Sequence, residues 1–271
     1  MHKLNPVLSE KIWGYEQWIA STHPNGMQKD FLELCGSDYP LLVKIIQAND
    51  TLSIQVHPDD QNAVELEGEG NRGKTECWFV LDAAVDAKLV YGLKGEFESD
   101  VLEKAIKENR LEDYLNFVNV KKGDFIFIPS GTVHAIGAGL RLLEVQQSCD
   151  LTYRLYDYGR GREVHIEKGL KVIRSDEMQP VAQFEKQFSC KYFNLEKVTV
   201  KGGWAMMASR IHKPDGVQLI YVISSDGAKI KPAGEPVTEL KAEEIYAIEP
   251  GEKITIEGNA EIMRIRVGAL D

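Results

Sequence analysis

Three short stretches of alternating apolar and polar residues constrain the fold most strongly, and they carry most of the side chains suited to bind a metal. They span residues 54–57, 73–78 and 123–134, are rich in β-branched and aromatic residues, and are punctuated by Gly or Pro. This pattern is typical of a β-strand or a strand end. Residues two apart in a strand share a face, so Gln55 lies with His57, and Lys74 with Glu76. We therefore predict neighbouring strands whose polar faces converge.

The converging side chains form a mixed nitrogen and oxygen ligand set. His57 and His134 supply imidazoles, Glu76 a carboxylate and Gln55 an amide oxygen. Such a set suits Zn²⁺ and leaves coordination positions for water or substrate. On the residues alone an alternative stays open, in which these side chains only satisfy local hydrogen bonds, as histidines usually do.

The third stretch also fits Gly-x5-Pro-x-Gly-x2-His, from Gly123 through Pro129 and Gly131 to His134. That spacing is the second motif of the cupin β-barrels. With further matches the chain resembles the type I mannose-6-phosphate isomerases in their short bacterial form, over roughly its first 165 residues. The matching segments are Trp13-Gly14 with Trp18, 40–44, 52–60, 73–78, 129–134, 144–148 and 152–157.

The resemblance implies an all-β fold of the cupin type, a double-stranded β-helix or jelly-roll barrel. We expect a catalytic cupin domain over residues 1–174, with a short helical excursion near residues 99–118. The apolar residues at 111, 114, 115 and 118 predict a second short helix within it. Residues 175–271 are expected to form a second, cupin-like β domain resembling a barrel. Its short strands are predicted at 191–200, 204–209, 217–224, 228–231, 244–248, 253–257 and 260–267. Superposing 126–128 on 246–248 aligns His134 with Ile254, so this second domain is expected to lack a metal.

The family's chemistry implies one Zn²⁺ per chain, held by His57, Glu76 and His134 with Gln55 as a possible fourth ligand. The implied reaction is the interconversion of mannose 6-phosphate and fructose 6-phosphate, an aldose–ketose isomerisation through a cis-enediol(ate). Such a reaction needs a base that moves a proton between C2 and C1, and a cation near the oxygens where negative charge develops.

The resemblance also assigns catalytic roles. Lys74 takes the place of a lysine in proton transfer, and burial and a nearby Zn²⁺ would both lower the pKa of its amine. Arg154 takes the place of an essential arginine, although an ion pair with Asp157 or Asp150 is an alternative reading. Asp150 takes the place of a carboxylate that helps to open the sugar ring, and a turn-capping role is equally compatible with its position.

The substrate contacts are less constrained. Lys44 interrupts the apolar run 41–46, so it must pair with a carboxylate or line a cavity. Trp13 is either an active-site wall or a packing residue. The candidate substrate-binding residues are Lys44, Ser53, Trp13 and Arg141, and Arg160 is a further candidate for the phosphate.

Composition excludes several classes of function. The 271 residues carry a formal net charge of -10 without a Lys/Arg run, which argues against a nucleic-acid partner. An anionic sugar phosphate would need a local basic pocket. No segment has the length or apolarity of a signal peptide or a membrane span, so we expect a cytoplasmic protein. The four cysteines are scattered and predict reduced thiols. The sequence also allows a homodimer.

Two other functions compete with the isomerase. One is a different metal-dependent cupin enzyme, such as another sugar-phosphate isomerase or an oxygenase that uses Fe²⁺. The other is a non-catalytic cupin that binds a sugar as a sensor.

Overall fold

The computed structural model describes residues 1–174 and 178–268. The strands are β1 (His2–Lys3), β2 (Val7–Lys11), β3 (Gly14–Ala20), β4 (Leu41–Ala48), β5 (Ile54–Val56), β6 (Glu76–Ala83), β7 (Lys88–Leu93), β8 (Leu115–Asn119), β9 (Asp124–Ile128), β10 (His134–Ile136), β11 (Leu140–Gln147), β12 (Tyr153–Tyr156), β13 (Ala182–Gln183), β14 (Gln187–Ser189), β15 (Phe193–Met207), β16 (Gln218–Pro232), β17 (Thr238–Glu239), β18 (Ile245–Ile248) and β19 (Lys253–Val267). The helices are α1 (Lys29–Cys35), α2 (Asp60–Glu67), α3 (Ser99–Lys107) and α4 (Ile166–Val172), with 3-10 turns at Pro24–Gly26 and Leu111–Tyr114. The predicted all-β class is confirmed.

The chain divides into two compact units. The central unit contains Ser9–Glu16 and Lys44–Gln183, and the terminal unit contains Met1–Leu8, Gln17–Val43 and the chain from Phe184 onward. Strands β2, β3 and β4 each include residues of both units. The predicted boundary at residues 174 and 175 adjoins residues 175–177, which lie outside the described part of the chain, and it stays a prediction.

Two antiparallel sheets form the central unit. One has the strand order β12-β5-β10-β7-β8, and the other has the order β13-β9-β6-β11-β4-β3-β2. Apolar side chains from both sheets share one buried cluster, which includes Trp78 of β6, Tyr91 of β7 and Leu142 of β11. The opposite face of the five-stranded sheet packs against α3 and α4. A second buried cluster lies there and includes Leu102 of α3 and Val172 of α4. The inner faces of the two sheets therefore meet in a packed interior.

Three strands of 15 residues each, β15, β16 and β19, dominate the terminal unit. Each was predicted as two short strands broken at a glycine. Instead, β15 pairs with β19 without interruption, with Gly202 opposite Gly258, and both glycines have positive φ (82° and 98°). In β16 the ladder shifts register between Asp226 and Gly227. Glycine adopts positive φ without steric cost, so here it bends a strand instead of ending it.

Other local predictions need correction. The apolar residues at 111, 114, 115 and 118 were read as a second helix after α3, but only Leu111–Tyr114 forms a 3-10 turn and β8 begins at Leu115. Pairing of β8 with β7 outweighs the helical spacing. Helix α2 was not predicted, although Asp59 accepts a hydrogen bond from Asn62 N (2.7 Å) as its N-cap and Gly68 follows its end.

No helix within residues 1–174 and 178–268 combines the length and apolarity needed to cross a membrane.

The Trp13 side chain belongs to the core of the central unit. It is 5% exposed and lies in the apolar cluster with Ile46 and Leu52. This position favours the packing interpretation over an active-site wall.

We expect Trp13→Ala to lower the free energy of unfolding by about 3–5 kcal/mol, because it leaves a large cavity in a packed core. The neighbouring Ile12 is 64% exposed, so Ile12→Ala is a matched control and should leave stability unchanged. Urea unfolding followed by circular dichroism checks both. Equal stability of the two variants would contradict the packing role.

Candidate metal centre and active site

Strand register brings the predicted polar residues together. His134 of β10 pairs with Gln55 of β5, and Gln55 pairs with Arg154 of β12. Directly opposed residues in antiparallel strands point to the same face, so these three form a row across the five-stranded sheet. Glu76 begins β6 in the seven-stranded sheet and approaches from the other side of the interior. The convergence expected from the sequence is therefore present.

His57, Glu76 and His134 form a compact cluster, and one ligand-type atom from each lies within 4.8 Å of the other two. The Nε2 atom of His57 is 3.7 Å from Glu76 Oε2, and that of His134 is 3.4 Å from Glu76 Oε1. All three side chains are about 1% exposed. The cluster is thus shielded from bulk solvent.

Backbone carbonyls fix both imidazole tautomers. His57 Nδ1 lies 2.9 Å from the carbonyl oxygen of Leu151, and His134 Nδ1 lies 2.9 Å from that of Thr132. A carbonyl can only accept, so each Nδ1 carries the proton and donates. Both Nε2 lone pairs then face Glu76, the arrangement that metal-binding histidines adopt.

The protonation states favour a cation between these groups. Burial lowers the pKa of His57 well below its usual value and that of His134 to about 4, so both rings are neutral at pH 7. Burial also raises the pKa of Glu76 to about 7. Its Oε1 has no hydrogen-bond partner among the described residues. Two neutral imidazole nitrogens and a carboxylate oxygen without a donor therefore face one another, and these residues fit a divalent metal ion.

Two donors also reach the cluster. Lys74 Nζ donates to His57 Nε2 (3.2 Å) and pairs closely with Glu76. Gln55 Nε2 donates to His134 Nε2 (3.2 Å). Rotation of the Gln55 amide would exchange this donor for its oxygen, the atom that a fourth ligand would supply. Burial lowers the pKa of Lys74, as expected from the sequence, but without a bound metal the charges of Glu76 and Glu144 outweigh burial and raise it.

The backbone N–H groups of Lys74 and of its two neighbours all donate hydrogen bonds. Lys74 N donates to Pro58 O (3.0 Å), Gly73 N donates to Asp60 Oδ1 (2.9 Å), and Thr75 N donates to Gln147 Oε1 (2.9 Å). Gln147 Nε2 in turn donates to Asp60 Oδ1 (2.9 Å).

Close packing adds a steric constraint at the same place. A Cβ on Gly73 would lie 2.5 Å from the Asp59 carbonyl carbon, so only glycine fits without a shift. Asp60 and Gln147 lie in segments that match the family, but sequence reasoning gave them no role, because their contact joins residues far apart in the chain.

A buried charge network continues away from the cluster. Lys44 Nζ lies 3.4 Å from Glu144 Oε1 and 3.9 Å from Glu16 Oε2, and Trp78 Nε1 donates to Glu144 Oε2 (2.9 Å). Lys44 therefore pairs with a carboxylate, which is one of the two roles that the sequence allowed. Burial opposes ionisation of Glu144, but Lys74 and Lys44 outweigh it and lower its pKa. Glu144 was not singled out, although a carboxylate inside the apolar run 140–145 was the available signal.

Arg154 lies beside this centre. Its Nε donates to Ser53 Oγ (3.3 Å) and its Nη1 to the Glu163 carbonyl (2.7 Å). Ser53 is 3% exposed. Asp150 is exposed in the turn between β11 and β12. Its next neighbour along the chain, Leu151, carries the carbonyl that orients His57.

Arg141 lies at the opposite end of β11. It pairs with Asp82, whereas Gln146 pairs with Glu76, so five residues, about 17 Å of strand, separate it from the metal cluster. Its Nη1 donates to Tyr15 Oη (3.0 Å) and to Gln47 Oε1 (3.1 Å). A substrate-binding role for Arg141 stays a prediction without geometric support.

Removal of either imidazole should abolish metal retention. We expect purified protein to carry near-stoichiometric divalent metal, measured by inductively coupled plasma mass spectrometry, and His57→Ala and His134→Ala to lose it, because a buried site with two remaining ligands binds weakly. The exposed His212 is the matched control. Full metal content in both ligand variants would refute the assignment.

Comparison with known proteins gives consistent results. The family model of the type I phosphomannose isomerase catalytic domain matches residues 1–75. The mannose-6-phosphate isomerase ManA of Bacillus subtilis is 34% identical over 288 aligned positions, which cover 87% of this chain and 89% of that protein. A mannose-6-phosphate isomerase of Streptococcus mutans is 42% identical over 184 positions, 58% of this chain and 57% of that protein.

A solved structure extends the similarity to the whole fold. The crystal structure of the mannose 6-phosphate isomerase from Bacillus subtilis superposes with a TM-score of 0.83 and 28% identity, and covers 97% of this chain and 98% of that one. Similarity in sequence and fold over most of both chains confirms the resemblance inferred from the motifs. The protein belongs to the type I mannose-6-phosphate isomerase family.

Proposed function

We propose that this protein interconverts mannose 6-phosphate and fructose 6-phosphate through a cis-enediol(ate), with one Zn²⁺ per chain. The observation that carries the proposal is the buried cluster of two neutral imidazoles and one carboxylate, with a lysine and an arginine beside it. The names of the relatives support the choice of substrate.

Zinc is the metal that best suits the ligand chemistry. Two imidazole nitrogens and a carboxylate oxygen are the usual donors of a catalytic zinc site, which keeps a position open for substrate or water. His57, Glu76 and His134 would hold the ion, and the Gln55 amide oxygen could complete the set. A bound Zn²⁺ would polarise the sugar carbonyl and stabilise negative charge on its oxygens as a Lewis acid.

Lys74 is the candidate for proton transfer between C2 and C1. Its ammonium group lies in hydrogen-bond range of His57 Nε2 and of Glu76, next to where the sugar's first two oxygens would bind. A lysine acts as a base only as the neutral amine, and Glu76 makes the largest contribution that raises the pKa of Lys74. Neutralisation of this carboxylate by a cation would remove that contribution and free the amine to accept a proton.

Arg154 is suited to stabilise negative charge on the substrate but not to transfer protons, because its guanidinium stays protonated throughout the pH range of the enzyme. Ser53 and the Glu163 carbonyl fix two of its nitrogens, so the side chain is oriented before substrate binds. We assign it to stabilisation of the enediolate oxygen. Asp150, which is exposed between β11 and β12, stays our candidate for opening the sugar ring.

A substrate panel tests the proposed activity. We expect turnover of mannose 6-phosphate in a coupled assay that detects fructose 6-phosphate, with much lower activity on glucose 6-phosphate and on unphosphorylated mannose. The reaction should consume no oxygen with either Zn²⁺ or Fe²⁺ bound, since isomerisation is redox-neutral. Oxygen uptake would favour the oxygenase alternative, and sugar binding without turnover would favour the sensor.

Arg154→Ala tests the role of the arginine. We expect kcat to fall by about 10²- to 10³-fold, because a preorganised donor to a developing oxyanion is lost. Metal content and the melting temperature should match those of the unmodified protein, which separates a catalytic from a structural role. Normal turnover in Arg154→Ala would remove the residue from the mechanism.

A further inference from the structure

Gln146 carries a buried amide whose nitrogen is fully used and whose oxygen is not. The residue is 0% exposed. Its Nε2 donates to the backbone carbonyl oxygens of Gln147 (2.9 Å) and Cys149 (2.5 Å). Carbonyls only accept hydrogen bonds, so these two contacts fix which end of the amide is the nitrogen. Oε1 points the other way, and it has no hydrogen-bond partner within residues 1–174 and 178–268.

Strand register places Gln146 beside the metal centre. Gln146 of β11 lies directly opposite Glu76 of β6. Opposed residues of an antiparallel pair project to the same face, with their Cβ atoms about 5 Å apart. Alternation along β11 gives the same result, because Leu142, four residues earlier, belongs to the apolar cluster between the two sheets. The Gln146 side chain therefore leaves β11 on the inner face, next to the carboxylate that meets the two imidazoles.

The unpartnered oxygen calls for a hydrogen-bond donor. Buried polar atoms are normally paired, and an acceptor left alone in a protein interior is unfavourable. Side-chain donors at the metal centre are already engaged, since Lys74 donates to His57 and Glu76, and Gln55 donates to His134. A ligand that brings a hydroxyl group to this interior would supply the missing donor.

The next residue along the chain shows what a purely structural amide looks like. Gln147 is 5% exposed, and both ends of its amide are paired within the protein. Its Oε1 accepts from Thr75 N (2.9 Å), and its Nε2 donates to Asp60 Oδ1 (2.9 Å). Of these two neighbouring glutamines, Gln146 alone keeps an oxygen available to a ligand.

We propose that Gln146 Oε1 accepts a hydrogen bond from a hydroxyl group of the substrate and thereby helps to select a polyhydroxylated ligand. The identification of this ligand as the sugar phosphate rests on the proposed function. The C1 and C2 oxygens of the sugar take part in the isomerisation, beside Lys74 and the candidate metal ligands. The next hydroxyl along the sugar is on C3. Because Gln146 is the direct neighbour of Glu76, we assign the C3 hydroxyl as the donor.

A pair of substrates tests the contact. Mannose 6-phosphate and its 3-deoxy analogue differ by one hydroxyl group, and both keep the C1 and C2 oxygens that the reaction needs. We expect the unmodified protein to prefer mannose 6-phosphate by at least about 10-fold in kcat/KM, because the deoxy analogue leaves a buried acceptor unpaired. Gln146→Met removes the acceptor at similar side-chain length and should abolish most of this preference. General structural damage lowers both kcat/KM values alike and cancels in their ratio.

Gln147→Met is the matched control. It should lower the melting temperature, through loss of the contacts with Thr75 and Asp60, and leave the preference for the C3 hydroxyl unchanged. The acceptor role would be refuted by a preference that is the same in the unmodified protein and in Gln146→Met. An equal loss of preference in Gln147→Met would also refute it, since any local disturbance would then produce the effect. If Gln146→Met abolishes only discrimination against the 4-deoxy analogue, the assignment to C3 is wrong.

Binding of a hexitol phosphate provides an arm that does not depend on turnover. Mannitol 6-phosphate and its 3-deoxy form have no carbonyl group and cannot isomerise. Titration calorimetry on the metal-loaded protein should give a dissociation constant about 10-fold higher for the 3-deoxy form, and equal constants in Gln146→Met. Equal affinity for both compounds in the unmodified protein, or binding of neither, would contradict the proposal.

Metal content and folding are checked in the same variants. We expect Gln146→Met to retain its metal, measured by inductively coupled plasma mass spectrometry, because the residue is not among the candidate ligands. Should this variant fail to fold or lose its metal, Gln146→Glu carries the test, since it keeps a side-chain oxygen but not Nε2. Gln146→Glu should retain the preference for the C3 hydroxyl, and its loss there would count against the acceptor role.

The two proposals fail differently. If the protein does not turn over mannose 6-phosphate, the proposed function is wrong, yet calorimetry with the two hexitol phosphates still decides whether Gln146 recognises a hydroxyl group. If turnover is normal and the preference does not depend on Gln146, the isomerase stands and the acceptor role falls.

Discussion

The Glu76 carboxylate is the point on which the centre depends. It leaves one sheet of the central unit and meets two neutral imidazoles from the other, and its Oε1 has no hydrogen-bond partner within the described residues. Burying such a group is unfavourable unless a cation compensates it. Lys74 compensates one oxygen of this carboxylate, and the unpartnered Oε1, next to the apolar cluster that includes Trp78 and Tyr91, leaves a position that a metal ion would satisfy.

The need to compensate buried charge also explains why charged side chains surround this carboxylate. Lys74 pairs with Glu76, and Lys44 pairs with Glu144, so positive and negative groups alternate through the interior. Removing one partner from such a set leaves an uncompensated buried charge. The lysine proposed as a base is thus electrostatically linked to a candidate metal ligand, and its ability to lose a proton depends on what else neutralises Glu76.

Sequence patterns predicted the centre better than its surroundings. Two-residue alternation and the matched motifs located His57, Glu76 and His134, because such signals are local. The Asp60–Gln147 contact and the grouping of residues 17–43 with the chain from Phe184 onward depend on long-range pairing, which no local pattern encodes. The three long strands of the terminal unit were divided at glycines, since composition does not distinguish a bend from an end.

The use of backbone carbonyls to orient both imidazoles has an evolutionary consequence. The groups that accept from Nδ1 belong to the main chain of Leu151 and Thr132, so any amino acid that preserves the local backbone path supplies the same acceptor. Sequence drift at these two positions is therefore compatible with an unchanged orientation of both imidazoles. Selection at Leu151 and Thr132 therefore acts on the path of the backbone. Substitutions that distort this path, such as proline, should be eliminated even though the side chain itself takes no part.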